Sequence, residues 1–338
     1  MDVDGNLGTR EGLSSVTGEI AAAGEIGFDG VWTTEMDHDP FLPLALAADH
    51  APTLTLGTGV AVAFARSPMT VAVQAMDLHV FSEGRLILGL GSQIKPHIER
   101  RFSMPWSQPA ARMREFVLAL HAIWDSWQDG TRLDFRGDFY QHTLMTPMFT
   151  PPTTTLGTPP VMIAAVGPRM TEVAAEVCDG IIVHGFTTER YLREVTLPAI
   201  EQGLTSSERR RRDFTVVYPG LVAVGDTEES LRTARDAVRA QLAFYGSTPA
   251  YRGVLDRHGW GEVADELHAL SVRREWAAMA ALFDDEMLET FAVVGDPESV
   301  GAEVGRRFGD VVDRFTVYAP YAMDLDLQRR LVAAVHAS

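Results

Sequence analysis

Three short stretches of this sequence carry the residue types most able to do chemistry. Gly89 to Ser92 and Val166 to Pro168 each follow a short apolar run, and the second leads into a helical pattern. A helix that begins after small residues presents free backbone N–H groups, which bind anions such as phosphate. The third stretch, residues 35–40, contains three carboxylates and one imidazole, of which Glu35 and His38 are the candidates. These are groups that proteins use to hold or transfer protons.

Each stretch also has a purely structural interpretation. Tight turns between strands and helices require small residues whether or not they bind an anion. Glu35 could be a hydrogen-bonded carboxylate that shapes its loop, and His38 a solvated histidine. Arg169 follows Pro168 and could add positive charge for an anion. A solvated arginine is the alternative, because the first turn of a helix disfavours cations.

Alternating strand and helix patterns must position these residues. Residues 53–95 form the clearest unit: an apolar run over 54–62, a helix that begins at Ser67-Pro68, and a second apolar run over 85–90. Strands are predicted at residues 3–7, 29–34, 54–62, 85–90, 161–165, 180–183, 214–224 and 314–318. Helices are predicted at residues 11–26, 43–50, 68–81, 106–127, 189–202, 226–244, 296–308 and 325–335, with another after Val166. The alternation predicts a parallel barrel.

The segments outside this alternation do not indicate a second domain. Residues 92–106 form a predicted loop, and residues 130–158 a hairpin followed by an extended segment. Residues 246–290 are interpreted as a helical insertion. No repeat or linker appears, so residues 1–338 are predicted to be a single α/β domain.

Composition excludes several kinds of partner. The chain has 338 residues, 46% of them hydrophobic, and a formal net charge of −17. That charge disfavours nucleic acids and anionic membranes as partners. No apolar run reaches the roughly 20 residues of a membrane span. Because Cys178 is the only cysteine and no signal peptide is visible, a reducing cytoplasm is the expected location.

Common motifs for other chemistries are missing from the sequence. His97 and His121 have no partners at metal-ligand spacing, and no HExxH motif occurs, so we predict no metal site. There is no Walker-type phosphate loop and no G-x-S-x-G nucleophile elbow.

Residues 67–92 carry a family resemblance. They read SP-x-x-x-A-x-Q-A-x-x-L-x-x-x-S-x-GR-x-x-L-G-L-G-S, which resembles the luciferase-like monooxygenase superfamily, and most of all its branch that uses the deazaflavin coenzyme F420. Similar segments continue through VDGNLG, GFDGVW, AAVGPRM and VGDPESV. The resemblance implies a (β/α)8 (TIM) barrel with the cofactor at the C-terminal ends of the strands.

The resemblance also implies roles for individual residues. A non-proline cis peptide is expected at Gly59–Val60, and the cofactor phosphate at Gly167. The full set of implied cofactor contacts is Thr34, Gly59, Val60, Ala61, Gly91, Ser92, Ala165, Val166, Gly167, Pro168 and Arg169. Apart from the resemblance, a substrate pocket is expected from Phe64, His97, Trp106 and Phe186, to which Tyr251 and Trp260 could contribute. The alternative for these aromatic residues is the packed core.

The predicted catalytic residues, Glu35 and His38, depart from the family pattern. Relatives commonly carry Ser-Asp-His where this chain has Thr34-Glu35-Met36. The acid is therefore kept as Glu35, the histidine is replaced by Met36, and His38 could substitute for it.

These observations predict an F420-dependent oxidoreductase that transfers a hydride between the deazaflavin C5 and a small organic substrate. One alternative is an FMN-dependent monooxygenase of the same fold, and another is a barrel that binds cofactor without catalysis. A homodimer is expected by analogy with the family. The chain has 28 Arg and one Lys among its 29 basic residues, which indicates a GC-rich genome and favours an actinobacterial source.

Overall fold

A computed structural model describes residues 1–8 and 12–338. The predicted beginning of the first helix, at Glu11, lies outside the described residues. The strands are β1 Asp2–Asn6, β2 Gly30–Thr33, β3 Thr55–Thr58, β4 Ala61–Val62, β5 Leu86–Gly91, β6 Phe135–Arg136, β7 Gln141–His142, β8 Val161–Ala165, β9 Gly180–Val183, β10 Thr215–Val224, β11 Val293–Gly295 and β12 Arg314–Tyr318.

Eight parallel strands of the described chain close into a barrel. Their order is β1, β2, β3 with β4, β5, β8, β9, β10 and β12, and β12 pairs again with β1. The segments β3 and β4 act as one barrel strand, because both pair with β5 in the same direction. The predicted α/β barrel is therefore confirmed, and all eight strands point their C-terminal ends the same way.

Two features lie outside the barrel. The hairpin predicted within residues 130–158 is formed by β6 and β7, which pair antiparallel. The three-residue strand β11 pairs with the distal part of β10, where Val222 faces Val293. The sequence did not predict β11, because three residues are too short for a periodic pattern.

The helices are α1 Leu13–Ile26, α2 Phe41–His50, α3 Pro68–Phe81, α4 Lys95–Arg100, α5 Pro109–Asp129, α6 Pro168–Val177, α7 Glu189–Tyr191, α8 Leu197–Ser206, α9 Glu228–Gly246, α10 Arg252–Arg257, α11 Gly261–Arg273, α12 Trp276–Ala280, α13 Asp285–Phe291, α14 Pro297–Phe308 and α15 Leu325–His336. A π-helical turn, Leu192–Thr196, joins α7 to α8. Part of the predicted loop 92–106 is in fact α4, which has Pro96 in its first turn. No helix in the described ranges is long and apolar enough to span a membrane.

Packed side chains fill the lower part of the barrel. Trp32, Met162, Ile182 and Val217 form a buried cluster inside it. Below them, Arg314 at the beginning of β12 forms an ion pair of 2.6 Å with Asp4, which is fully buried and also accepts a hydrogen bond from the Trp32 indole. These contacts close the N-terminal end of the barrel. Any ligand must therefore enter at the C-terminal end, as in other barrels of this type.

Helices α9 to α13 share a hydrophobic core of their own. Val238 and Leu242 of α9 pack there with Leu267 of α11 and with Phe186, which follows β9. Residues 246–290 are thus largely helical, and their core meets the barrel beside the C-terminal ends of β9 and β10.

Candidate functional site

The C-terminal ends of the barrel strands gather the residues that the sequence predicted to be functional. Thr34, Gly91 and Ala165 each lie at or directly after the end of a strand, and Tyr318, which was not among the predicted residues, ends β12. Because all eight strands are parallel, these residues surround one opening. We call this opening the barrel mouth.

A cis peptide bond joins Gly59 to Val60 at the mouth, as predicted. The backbone around it is held from β2: the Gly59 N–H donates to the Thr33 carbonyl over 2.7 Å, and the Thr34 hydroxyl donates to the Gly59 carbonyl over 3.0 Å. The bond separates β3 from β4, whose first residue, Ala61, is fully buried.

The glycines of β5 make room for this unusual backbone. A Cβ on Gly89 would lie 1.9 Å from the Thr58 carbonyl oxygen, and one on Gly91 would lie 2.5 Å from a Val60 methyl carbon. Both positions therefore require glycine for packing, whatever else they do. The nearest side chains to these two glycines are Ile182 at Gly89 and Val60 at Gly91. The neighbouring Ser92 is half-buried and donates its hydroxyl to the Gln93 carbonyl.

Helix α6 begins at the mouth with uncapped backbone groups. Gly167 is its N-cap residue and provides no side chain, and Pro168 occupies the first helical position. The next two N–H groups, of Arg169 and Met170, therefore have no capping partner within the helix. A Cβ on Gly167 would find nothing within 4 Å, so the space beside this N-cap residue is open.

These features fit a cofactor with an anionic chain and a flat ring. The free N–H groups at the beginning of α6 would hold a phosphate. Val60 and the glycines of β5 would form an apolar floor for a ring. Ala165 is buried, Val166 is half-buried, and Pro168 and Arg169 are exposed at the helix end. The Arg169 side chain is thus free to approach an anion from solvent.

Glu35 is tied into the wall of the mouth. Its Oε2 accepts a hydrogen bond of 2.7 Å from the Val62 N–H and forms an ion pair of 2.6 Å with Arg66. Arg66 also reaches Asp39 at 3.3 Å, and the Glu35 side chain is only 8% exposed. One carboxylate thus connects the end of β2 to the segment after β4. This placement favours the shaping role over proton transfer.

The loop that follows Glu35 lies at the surface. Met36, Asp37 and His38 are exposed, and Arg101 donates a hydrogen bond to the Met36 carbonyl. His38 forms no hydrogen bond to a described residue. The catalytic role predicted for His38 stays a prediction.

The four residues predicted to line a substrate pocket differ in how deeply they are buried. Phe64 and Phe186 are fully buried; Phe64 packs edge-on against Trp106, and Phe186 stacks on Phe291. Trp106 is half-buried, and His97 is exposed on α4. The two phenylalanines therefore occupy packed cores and present no open surface, while Trp106 and His97 remain accessible.

An aromatic cluster at the mouth contains His184 and Tyr245, which the sequence analysis did not single out. His184, directly after β9, lies 4.8 Å from Tyr245 and 4.4 Å from Tyr251, measured between ring centres. The Tyr245 and Tyr318 hydroxyl oxygens are 2.8 Å apart. Burial lowers the pKa of His184 to about 4 and raises that of Tyr251 to about 12. One signal was present in the sequence: His184 continues the period-two pattern of Gly180 and Ile182.

Among residues 1–8 and 12–338, no group of three or more His, Cys, Asp or Glu side chains is arranged to hold a metal ion.

Comparison with known proteins agrees with this architecture. The family model of luciferase-like monooxygenases matches residues 1–314. The chain is 54% identical over 314 residues to an uncharacterized protein of Mycobacterium tuberculosis, covering 93% of this chain and 92% of that protein. It is 29% identical to the 5,10-methylenetetrahydromethanopterin reductase of Archaeoglobus fulgidus, covering 83% and 82%.

A solved structure has the same fold. The coenzyme F420-dependent tetrahydromethanopterin reductase of Methanopyrus kandleri superposes with a TM-score of 0.81 at 21% identity, covering 98% of this chain and 96% of that one. The resemblance noted in the sequence is thus confirmed, and the chain belongs to the luciferase-like monooxygenase family.

Proposed function

We propose that this protein is an F420-dependent oxidoreductase that transfers a hydride between the deazaflavin and a small organic substrate. The observation that carries the proposal is the pairing of two features on one barrel mouth. The uncapped N-terminus of α6 lies at the end of β8, and the cis peptide lies at the end of β3. Only β5, with its inward glycines, separates these strands.

In this proposal the residues of the protein bind the cofactor and orient its ring. The backbone N–H groups that follow Gly167 hold the phosphate, and Val60 supports the ring. Thr34 holds the backbone beside the ring in place through its bond to the Gly59 carbonyl. When bound, the deazaflavin supplies the hydride chemistry at C5. Glu35 and Arg66 keep the wall of the mouth in shape.

The relatives support this cofactor. A sequence relative is named as a methylenetetrahydromethanopterin reductase, and a protein of the same fold as an F420-dependent enzyme. The family is described as luciferase-like monooxygenases, and a monooxygenase of the same fold was solved in complex with FMN, so FMN is the competing cofactor.

Fluorescence titration of the purified protein with F420 and with FMN tests the proposal. We expect saturable, micromolar binding of F420 and at least tenfold weaker binding of FMN. Tighter binding of FMN would replace the proposal with the monooxygenase alternative. Binding of F420 without oxidation or reduction of any substrate in a broad screen would favour the non-catalytic barrel.

We further propose that the protein forms homodimers. Several apolar side chains of the segment after the hairpin are strongly exposed: Leu144 at 78%, Met148 at 86% and Phe149 at 74%. Burying such side chains between two copies would remove apolar surface from water.

A further inference from the structure

His184 lies in the half of the mouth that the proposed cofactor does not use. The phosphate and ring positions lie along β8, β5 and β3, whereas His184 follows β9, on the side of the barrel that continues through β10 to β12. Ile182, two residues earlier, fills the barrel interior. Because side chains alternate along a strand, His184 leaves β9 on the same side as Ile182, above the packed core.

The hydrogen bonding of His184 fixes its tautomer. Its Nδ1 lies 2.9 Å from the backbone nitrogen of Phe186, which can only donate. Nδ1 must therefore accept, and in the neutral ring the hydrogen resides on Nε2. Nε2 forms no hydrogen bond to any residue in the described parts of the chain. The Nε2–H of His184 is thus a hydrogen-bond donor at the mouth without a partner in the described parts of the chain.

The surroundings of His184 are polar but uncharged. Tyr245 and Tyr251 contact its ring, and Tyr245 shares a hydrogen bond with Tyr318. Burial raises the pKa of all three phenols and lowers that of the imidazole, so every group stays neutral near pH 7. The absence of a side chain at Gly185 lets Tyr318 pack close to the backbone after His184, because a Cβ at residue 185 would lie 3.3 Å from the Tyr318 ring.

We propose that His184 is the substrate-binding donor of this enzyme and that its Nε2–H binds the oxygen of an uncharged carbonyl compound or alcohol. An anionic substrate would find no positive charge among the four side chains described above, those of His184 and the three tyrosines. A neutral oxygen gains a directed hydrogen bond from a group that is already oriented, as neutral imidazoles do for carbonyl oxygens in other barrel enzymes. This inference rests on the proposed function, because it assigns the substrate class of the same mouth.

Two variants separate the N–H donor from the shape of the ring. His184→Phe keeps an aromatic ring against Tyr245 and Tyr251 but removes the donor, and His184→Gln keeps an N–H donor without the ring. We expect His184→Phe to bind F420 as wild type does. Its turnover should be reduced about 10²–10³-fold, the usual loss of one preorganised donor. His184→Gln should retain more activity than His184→Phe.

Turnover is measured by the absorbance of F420, with reduced cofactor and uncharged carbonyl probes (acetone, cyclohexanone and benzaldehyde). Pyruvate and oxaloacetate serve as the anionic comparison. Wild-type turnover by His184→Phe, or turnover of the anionic probes alone, would overturn the inference. Absence of F420 binding in wild type would instead refute the proposed function.

Nitrogen NMR of ¹⁵N-histidine-labelled protein tests the inference without turnover and without cofactor. The His184 signals are assigned by their loss in His184→Gln. We expect the Nε2–H tautomer at pH 7 and a shift of its Nε2 signal with the uncharged probes. Hydrogen on Nδ1, or no shift with any uncharged probe, would show that His184 is not the donor.

Discussion

Replacing Gly167 by valine gives the sharpest test of the phosphate position. Gly167 has φ −89° and ψ 156°, an extended conformation that suits a β-branched residue, and a Cβ there meets nothing within 4 Å. The folded protein should therefore accept the new side chain. At an N-cap position a change from glycine to an apolar residue costs about 1 kcal/mol or less of stability.

The Gly167→Val substitution should instead weaken the binding of F420. The isopropyl group of valine would fill the space that the anion needs in front of the Arg169 and Met170 N–H groups. A hydrogen bond to a charged group contributes about 1.5–3 kcal/mol, so losing one predicts a rise in Kd for F420 of roughly 10–150-fold. Fluorescence titration measures the Kd, and thermal unfolding checks the fold.

Gly24→Val is the matched control. Gly24 also has open space around a Cβ, but it lies near the C-terminal end of α1, away from the mouth. It should leave the Kd unchanged. If Gly167→Val binds F420 within twofold of wild type, the anion does not approach the beginning of α6 and the proposed orientation of the cofactor is wrong.

Three other perturbations test separate parts of the structure. Glu35→Gln removes the carboxylate charge that faces Arg66, although Arg66 still has its second partner, Asp39, at 3.3 Å. We therefore expect the free energy of unfolding in urea to fall by about 1–3 kcal/mol, with the affinity for F420 nearly unchanged. A turnover loss of 100-fold or more in that variant would instead make Glu35 an acid or base. The folded-state pKa of His184 is lowered from 6.5 to about 4, so the unfolded chain gains a proton first as the pH falls. His184 should therefore leave stability unaffected above pH 7 and destabilise the fold by on the order of 3 kcal/mol at pH 4. His184→Phe should lose less stability than wild type between pH 7 and pH 4, and parallel losses in denaturant titrations would contradict the burial of the imidazole. Finally, Met148→Glu combined with Phe149→Glu should convert a dimer into monomers in light scattering, and an unchanged mass would place the interface elsewhere.

The sequence by itself predicted the order of the eight barrel strands and placed the candidate site residues at their ends. Apolar runs near Leu88 and Ile163 are strongly periodic and local, so they predict buried strands without further information. Glycine at position 167, before Pro168, marks a helix beginning for the same local reason. The cis peptide was expected only through the family resemblance, because nothing in the residues Gly59 and Val60 distinguishes it from an ordinary strand.

Only the tertiary structure decided what the individual side chains can do. Glu35 meets Arg66 across 31 residues of chain, and His184 meets Tyr245 of α9 and Tyr251, which follows α9. Burial and charge pairing depend on such long-range contacts, and both control whether a group titrates or donates. The same reasoning explains the burial of Phe64, which is aromatic, as many pocket residues are, but lies in the core. Its surroundings are set by packing between distant elements, which no local pattern records.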